Sequence, residues 1–394
     1  MSATAPTRTP RFTAVLRGDE GRVTPLELFF DLVFVLALTQ CTALMAHEAT
    51  WEGLAKGMLV LGVLWWSWVG YAWLTSVVDP EEGSVRLAIF AAMAAFLVTA
   101  LCVPEAFDRL GGLFAGSYAA VRVAQVALLL VAGRDDPALR HSASGLAAST
   151  AVGVGILIAA SFADGALQGG LWALALALDM AGPLVIDSSG WRLVPGHFAE
   201  RHGLIVIIAL GESIVAIGTG VAGVDAGVVV AAVLGIAVAG ALWWMYFDVV
   251  ALVAARRLSN AKEGQERNEV ARDSYSYLHF PMVAGIVLIA LGMKKTLGHV
   301  DDPLKPVPAV ALLGGTALYL LAHVAFRLRN IRTLNRQRLL LAVVLVALIP
   351  AGVELPALAT LGILAALLTL LIVYETIRFA ERREKIRREL AHEG

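Results

Sequence analysis

The segment His197-Phe-Ala-Glu200-Arg201-His202-Gly-Leu-Ile-Val-Ile-Ile-Ala-Leu-Gly-Glu212-Ser213-Ile-Val-Ala-Ile217 crowds two histidines, an arginine and a glutamate into its entrance. It then runs apolar for eight residues and sets a single carboxylate, Glu212, inside a stretch long enough to cross a bilayer. A charge at that depth is costly, so a retained one marks a functional site by default. The same run is apolar all round, where a soluble helix would show one stripe.

The rest of the chain has the same character. Its 394 residues are 58% hydrophobic and 16% charged, against roughly 25% charged in an average soluble domain. The apolar residues come in blocks of about twenty, the length that spans a bilayer. The net charge of −1 gives no field for nucleic acid, and none is expected as a partner. Cys41 and Cys102 lie in apolar blocks and read as small buried hydrophobes. No cofactor and no metal is implied. The first twenty-four residues carry Arg8, Arg11, Arg17 and Arg22 without an apolar core, so insertion is expected to be directed by the first span.

Twelve spans are predicted, at roughly 26–46, 54–78, 86–106, 112–132, 144–163, 167–187, 200–222, 226–252, 275–296, 307–327, 338–352 and 355–378. The eleventh is short, and a re-entrant pair around Pro350 would leave eleven or ten. Twenty-five of the 31 basic residues fall in the N-terminus, the even-to-odd loops and the C-terminus; five fall on the other side, and Arg122 lies inside a span. By the positive-inside rule both termini are cytoplasmic, which favours an even count.

The two halves resemble each other. Leu32–Gln40 lies over Leu204–Glu212, Leu64-Trp65-Trp66 over Leu242-Trp243-Trp244, Met93 over Met282, and Gly116-Ser117 over Gly315-Thr316. The expected fold is all-α: a polytopic transmembrane helix bundle of two parallel six-helix repeats, related by an axis along the membrane normal. The division is 1–24 as a cytoplasmic segment, 25–190 and 191–378 as the repeats, and 379–394 as a charged cytoplasmic tail. Thr24-Pro-Leu-Glu-Leu-Phe-Phe-Asp-Leu-Val-Phe-Val35 resembles the opening signature of the bacterial low temperature requirement A family. His197–Ser213, Leu242–Asp248 and Tyr275–Gly285 are also similar to it. The resemblance implies a multi-pass protein of the bacterial inner membrane. It brings a cold-growth phenotype and no biochemical activity. Phe29-Phe30-Asp31 is also faintly similar to the Phe-Ser-Asp of a potassium-channel family built from six-span repeats, an analogy only.

Polar residues inside the spans fall at two depths. Arg122, Asp179 and Glu212 lie near the midplane. Asp31, Arg201, His202, Asp248, His279 and His323 lie nearer the cytoplasmic face. Arg122 has the planar fork to bond both midplane carboxylates. Such a group is either a lock between helices or an ion site whose carboxylate exchanges arginine for a substrate ion. Arg201 and Glu212 share one stripe of their helix. Thr24-Pro-Leu-Glu27 is a capping box, which assigns Glu27 to the helix start. Asp31, one turn deeper, is a vestibule or helix-contact residue. His197-x-x-Glu200-x-His202 does not read as a metal site, because five residues carry the second histidine about 140° round the helix. Those groups are expected at the membrane surface. The arginines of 327–338 and 378–388 answer the topology rule and anionic headgroups.

Three functions compete: a proton- or cation-coupled transporter or ion-conducting protein, a non-transporting sensor or scaffold, and a membrane-embedded lipid enzyme. The first is preferred and the chain is expected not to be an enzyme. The partners are the lipid bilayer, a small ion or proton, and a second copy of the chain. A polar cavity at mid-depth favours transport; a dry core favours the scaffold.

Overall fold

The computed structural model describes residues 17, 22–47, 49–186, 188–221 and 223–381. Arg8, Arg11 and the other residues of 1–16 and 18–21, and the tail arginines beyond 381, lie outside the described residues. Among the described residues every regular element is helical: α1 (Pro25–His47), α2 (Trp51–Val77), α3 (Gly83–Cys102), α4 (Gly111–Ala132), α5 (Pro137–Ala160), α6 (Gly165–Val185), α7 (Pro195–Gly220) and α8 (Ala226–Phe247). They are followed by α9 (Val250–Ser259), α10 (Gln265–Val270), α11 (His279–Gly298), α12 (Pro306–Ala309), α13 (Gly315–Ile331), α14 (Arg336–Ala347), α15 (Ile349–Glu354) and α16 (Ala357–Arg378). Two wide π-helical stretches, Ala271–Tyr277 and Val310–Gly314, join α10 to α11 and α12 to α13. Helices are the expected answer to lipid, where each backbone polar group must be satisfied within its own segment.

Among the described residues, eleven helices are long and apolar enough to cross a membrane. The predicted eleventh span does not pass on length, because it breaks at Leu348 between α14 and α15. Pro350 explains the break, since its ring removes a helix donor. The segment still traverses the bundle. At its start Arg338 bonds Glu375 near the end of α16. Past its far end, Ala357 and Leu358 donate to Asp302 and Val300, in the loop that follows α11. Pro25 and Arg378 therefore lie at one end of the bundle, which is called the inner end as a label only.

The packing shows which helices face lipid. α2 is the most deeply buried, followed by the spans ending in α11 and α13. On α1 the inward face carries Glu27, Phe30, Asp31, Phe34 and Leu38, while Leu28, Phe29 and Leu32 are exposed. Apolar residues outward and acids inward is what a hydrocarbon solvent selects. Helices α11 and α13 touch almost backbone to backbone. A Cβ on Gly292 would fall 2.9 Å from the Leu312 nitrogen, and one on Gly285 would fall 2.7 Å from the Gly315 oxygen. Small residues at such crossings replace the hydrophobic drive that lipid does not supply. Gly292→Ala is expected to cost about 1–3 kcal/mol by forcing the helices apart. Thermal unfolding in detergent checks this, with Gly240→Ala, whose added methyl meets open space, as the small-effect control.

Candidate functional site

Two buried polar systems occupy the bundle. The first joins α1 to α7. Both halves of the capping box form: the Thr24 amide donates to Glu27 Oε2 at 2.8 Å, and the Glu27 amide donates to Thr24 Oγ1 at 3.3 Å. The other Glu27 oxygen is not spent on the cap. It meets His197 Nε2 at 2.8 Å and Arg201 Nη1 at 3.5 Å. Arg201 Nη2 donates to Asp31 Oδ1 at 2.6 Å, and Trp68 Nε1 donates to the same oxygen at 2.8 Å. Arg17 reaches in from outside the span, with Nη1 3.0 Å from His197 Nε2 and 2.7 Å from the Thr75 carbonyl. His197 Nδ1 rests 2.9 Å from Ser76 Oγ. His197, expected at the membrane surface among loop charges, stands in the first turn of α7 beside Arg17, and there it is buried with a carboxylate partner. Glu200 is exposed and accepts from the Val23 amide. His202 turns away into an aromatic shell of Phe198, Trp68, Tyr275 and His279.

His279 has a defined tautomer. Its Nδ1 sits 2.9 Å from the Ser274 carbonyl, so it carries the proton, and Nε2 accepts from Tyr246 Oη at 2.8 Å. His202 likewise donates Nδ1–H to the Phe198 carbonyl. His323 accepts from Arg338 Nη1 at 3.0 Å. Glu212 and Asp31 do not meet, although Arg201 and Glu212 share the α7 face that packs on α1. Thr39 Oγ1 donates to Glu212 Oε2 at 2.5 Å, and the Lys294 ammonium acts on that carboxyl from α11. Asp248 ends α8 and lies in the wall of a different cavity, which it shares with Arg338.

The second system holds the rest of the expected midplane set. Arg122 Nη2 donates to both oxygens of Asp179 at 3.1 Å and to Thr150 Oγ1 at 2.8 Å, joining α4, α5 and α6. Nη1 donates to Gln125 Oε1 at 3.0 Å and to the Trp66 carbonyl at 3.3 Å. Arg122 is not paired with Glu212, so the predicted three-way cluster is two separate sites. Gly153 permits the closeness, because a Cβ there would fall 3.0 Å from the Asp179 side chain.

A cavity of about 60 Å³ runs from the inner end to Arg122 of this pair. It has room for several waters, since one needs roughly 10–15 Å³. Trp66, Trp73 and Trp191 give it aromatic walls, and Arg122 and Gln125 belong to its lining. Arg122 stands ten residues from the inner end of α4, or about 15 Å, half the thickness of a hydrocarbon core. Two irregular helical segments shape the entrance. Pro183 lies inside the last turn of α6, four residues past Asp179, and leaves the Asp179 carbonyl without its helix donor. The π-helical stretch docks on this end of α6: Arg272 Nη1 donates to the Pro183 carbonyl at 3.0 Å, and Tyr277 Oη donates to that of Met180. Ser276 in the same stretch accepts Trp73 Nε1 at 2.9 Å through its hydroxyl and Trp65 Nε1 at 3.0 Å through its carbonyl. Arg122 Nε and Gln125 Nε2 are buried donors with no partner among the described residues.

Comparison with known proteins adds the following. The family model described as bacterial low temperature requirement A protein (LtrA) matches residues 22–373. The uncharacterized protein RA0937 of Rhizobium meliloti (strain 1021) is similar, 32% identical over 321 residues, covering 77% of this chain and 76% of that one. No solved structure matches the chain with significance.

Proposed function

This chain belongs to the bacterial low temperature requirement A family, and from that premise and the geometry above we propose that it is a proton- or cation-coupled transporter or ion-conducting protein. The observation that carries this reading is the cavity that descends from the inner end to Arg122, the partner of the buried Asp179, near the middle of α4. Transport sites of secondary carriers lie at the midplane, between repeats, where helices are broken. Here the walls come from α2, α4, α5 and α6 on one side and from the π-helical stretch at 271–277 on the other. Those are segments of the two proposed repeats. The repeat reading draws further support from α1 and α7. Their contacts pair Asp31 with Arg201 and Thr39 with Glu212, so the two helices run parallel. These pairs differ by 170 and 173 positions, close to the 172 that superposes Leu32–Gln40 on Leu204–Glu212. The buried Trp65-Trp66 and the exposed Trp243-Trp244 are not in equivalent surroundings.

In this reading the inner end faces the cytoplasm, by its excess of arginine. Asp179 is the carboxylate that exchanges arginine for the moving ion. The α1–α7 cluster and Glu212 hold the charge that couples movement to protons. The protein is read as a carrier, not an enzyme. The scaffold reading rests on the α1–α7 cluster being sealed, since the small space beside Glu27 and Arg201 admits no water. Flux of protons, sodium and potassium in proteoliposomes across a pH step separates the two. The wild type is expected to exceed empty vesicles, with Asp179→Asn and Glu212→Gln each slowed at least about tenfold, the scale of one lost charged contact. Wild-type flux equal to that of empty vesicles for all three ions would remove the transport reading.

A further inference from the structure

A second and larger cavity, about 410 Å³, opens at the inner end and shares no lining residue with the first. It forms where α8 stops at Phe247 and α9 begins at Val250, beneath the turn between α13 and α14. Its wall carries Arg327, Arg336 and Arg338 against Asp248 and Glu375, an excess of one positive charge. The arginines differ in their duties. Arg338 is buried and fully engaged: Nε and Nη2 lie 3.1 and 2.9 Å from Glu375, and Nη1 reaches His323 and the Met245 carbonyl. It is the fixed back wall. Arg327, held by Thr333 Oγ1 at 3.0 Å, and the exposed Arg336 supply the charge that reaches a ligand.

The rim has the opposite chemistry. Trp244, Ile331, Leu334 and Phe379 line the same cavity and are exposed large apolar side chains. An amphipathic ligand fits such a pair of surfaces. Its anionic head meets arginine and its chains leave across tryptophan and phenylalanine, where the bilayer begins. We propose that this cavity holds the phosphate headgroup of one anionic phospholipid, with its acyl chains on the apolar rim. A singly charged phosphodiester matches the excess charge, and arginine is the side chain suited to phosphate oxygens. A soluble phosphate shares the head chemistry but has no use for the rim.

The test uses the purified full chain in neutral detergent. Binding is read by native mass spectrometry and by the melting temperature on addition of phosphatidylglycerol, phosphatidylcholine or inorganic phosphate. Phosphatidylglycerol is expected to bind and raise the melting temperature, while the other two leave it unchanged. In the double variant Arg327→Gln, Arg336→Gln, affinity for phosphatidylglycerol is expected to fall on the order of tenfold or more. The control Arg134→Gln, Arg140→Gln removes equal charge from the same end, outside the cavity, and is expected to bind as the wild type does. Equal binding of phosphatidylcholine, or an equal loss in the control pair, overturns the proposal. A shift from inorganic phosphate as large as that from phosphatidylglycerol overturns the lipid assignment in favour of a soluble anion. If the double variant melts early in detergent alone, its binding ratio in mass spectra still decides, and an unchanged ratio refutes the site.

Discussion

Arg201→Leu is expected to destabilise the protein by about 3–5 kcal/mol, the scale for stripping the partner from buried charges. The substitution would leave Glu27 and Asp31, both fully enclosed, with one cation fewer between them. Asp31 would suffer most, because Arg201 is its one ion-pair partner among the described residues and only Trp68 Nε1 would still donate to it. Its second oxygen already lacks a partner among the described residues. Arg201→Lys is expected to fall between, since an ammonium does not fork to Asp31 and Thr75 together as the guanidinium does at 2.6 and 2.9 Å. The readout is the fraction of monodisperse protein in detergent after a temperature ramp. An Arg201→Leu protein that melts with the wild type would show that water already reaches this cluster and that the helices are held by something else.

The bundle was legible because hydrocarbon imposes one rule on every span, and block length with arginine bias follows from it. The charges inside it were legible one by one, for the same reason. What a single residue does not disclose is its direction. Glu27 looked consumed by its capping box, yet a carboxylate has two oxygens and the second faces α7. A signal was present: acids four apart at Glu27 and Asp31 on one span, bases four apart at His197 and Arg201 on another. Each pair shares a helical face, and together they predict a contact between the two helices. Arg122 was misassigned to Glu212 for the opposite reason. Both sit at mid-depth, but depth fixes only one coordinate, and the bearing of each helix face around the bundle is a tertiary property. Pro183 and the wide stretch at 271–277 show a further limit. The proline is visible in the sequence, whereas the π-helical geometry that docks on the end of α6 has no pattern there.

Arg122 and Asp179 bear on whether the second polar system is a lock or a site, and a double-mutant cycle distinguishes the two. Alone, Arg122→Leu strands a buried carboxylate and Asp179→Leu strands a buried guanidinium, so each is expected to cost about 3–5 kcal/mol. Together they remove both charges, and replacement of a buried pair by apolar residues is often neutral. The double variant is therefore expected to recover most of the loss, with a coupling of about 5 kcal/mol or more, above the usual range for residues in contact because each single variant strands a buried charge. Stability alone does not separate the roles, because a lock and a site predict the same recovery. Flux does. If the pair only ties α4 to α6, restored folding restores whatever the protein moves. If Asp179 takes the ion when arginine releases it, the stable double variant conducts no better than empty vesicles. The cavity favours the second outcome, because a pair that only locks helices gains nothing from a space with room for water that reaches its arginine.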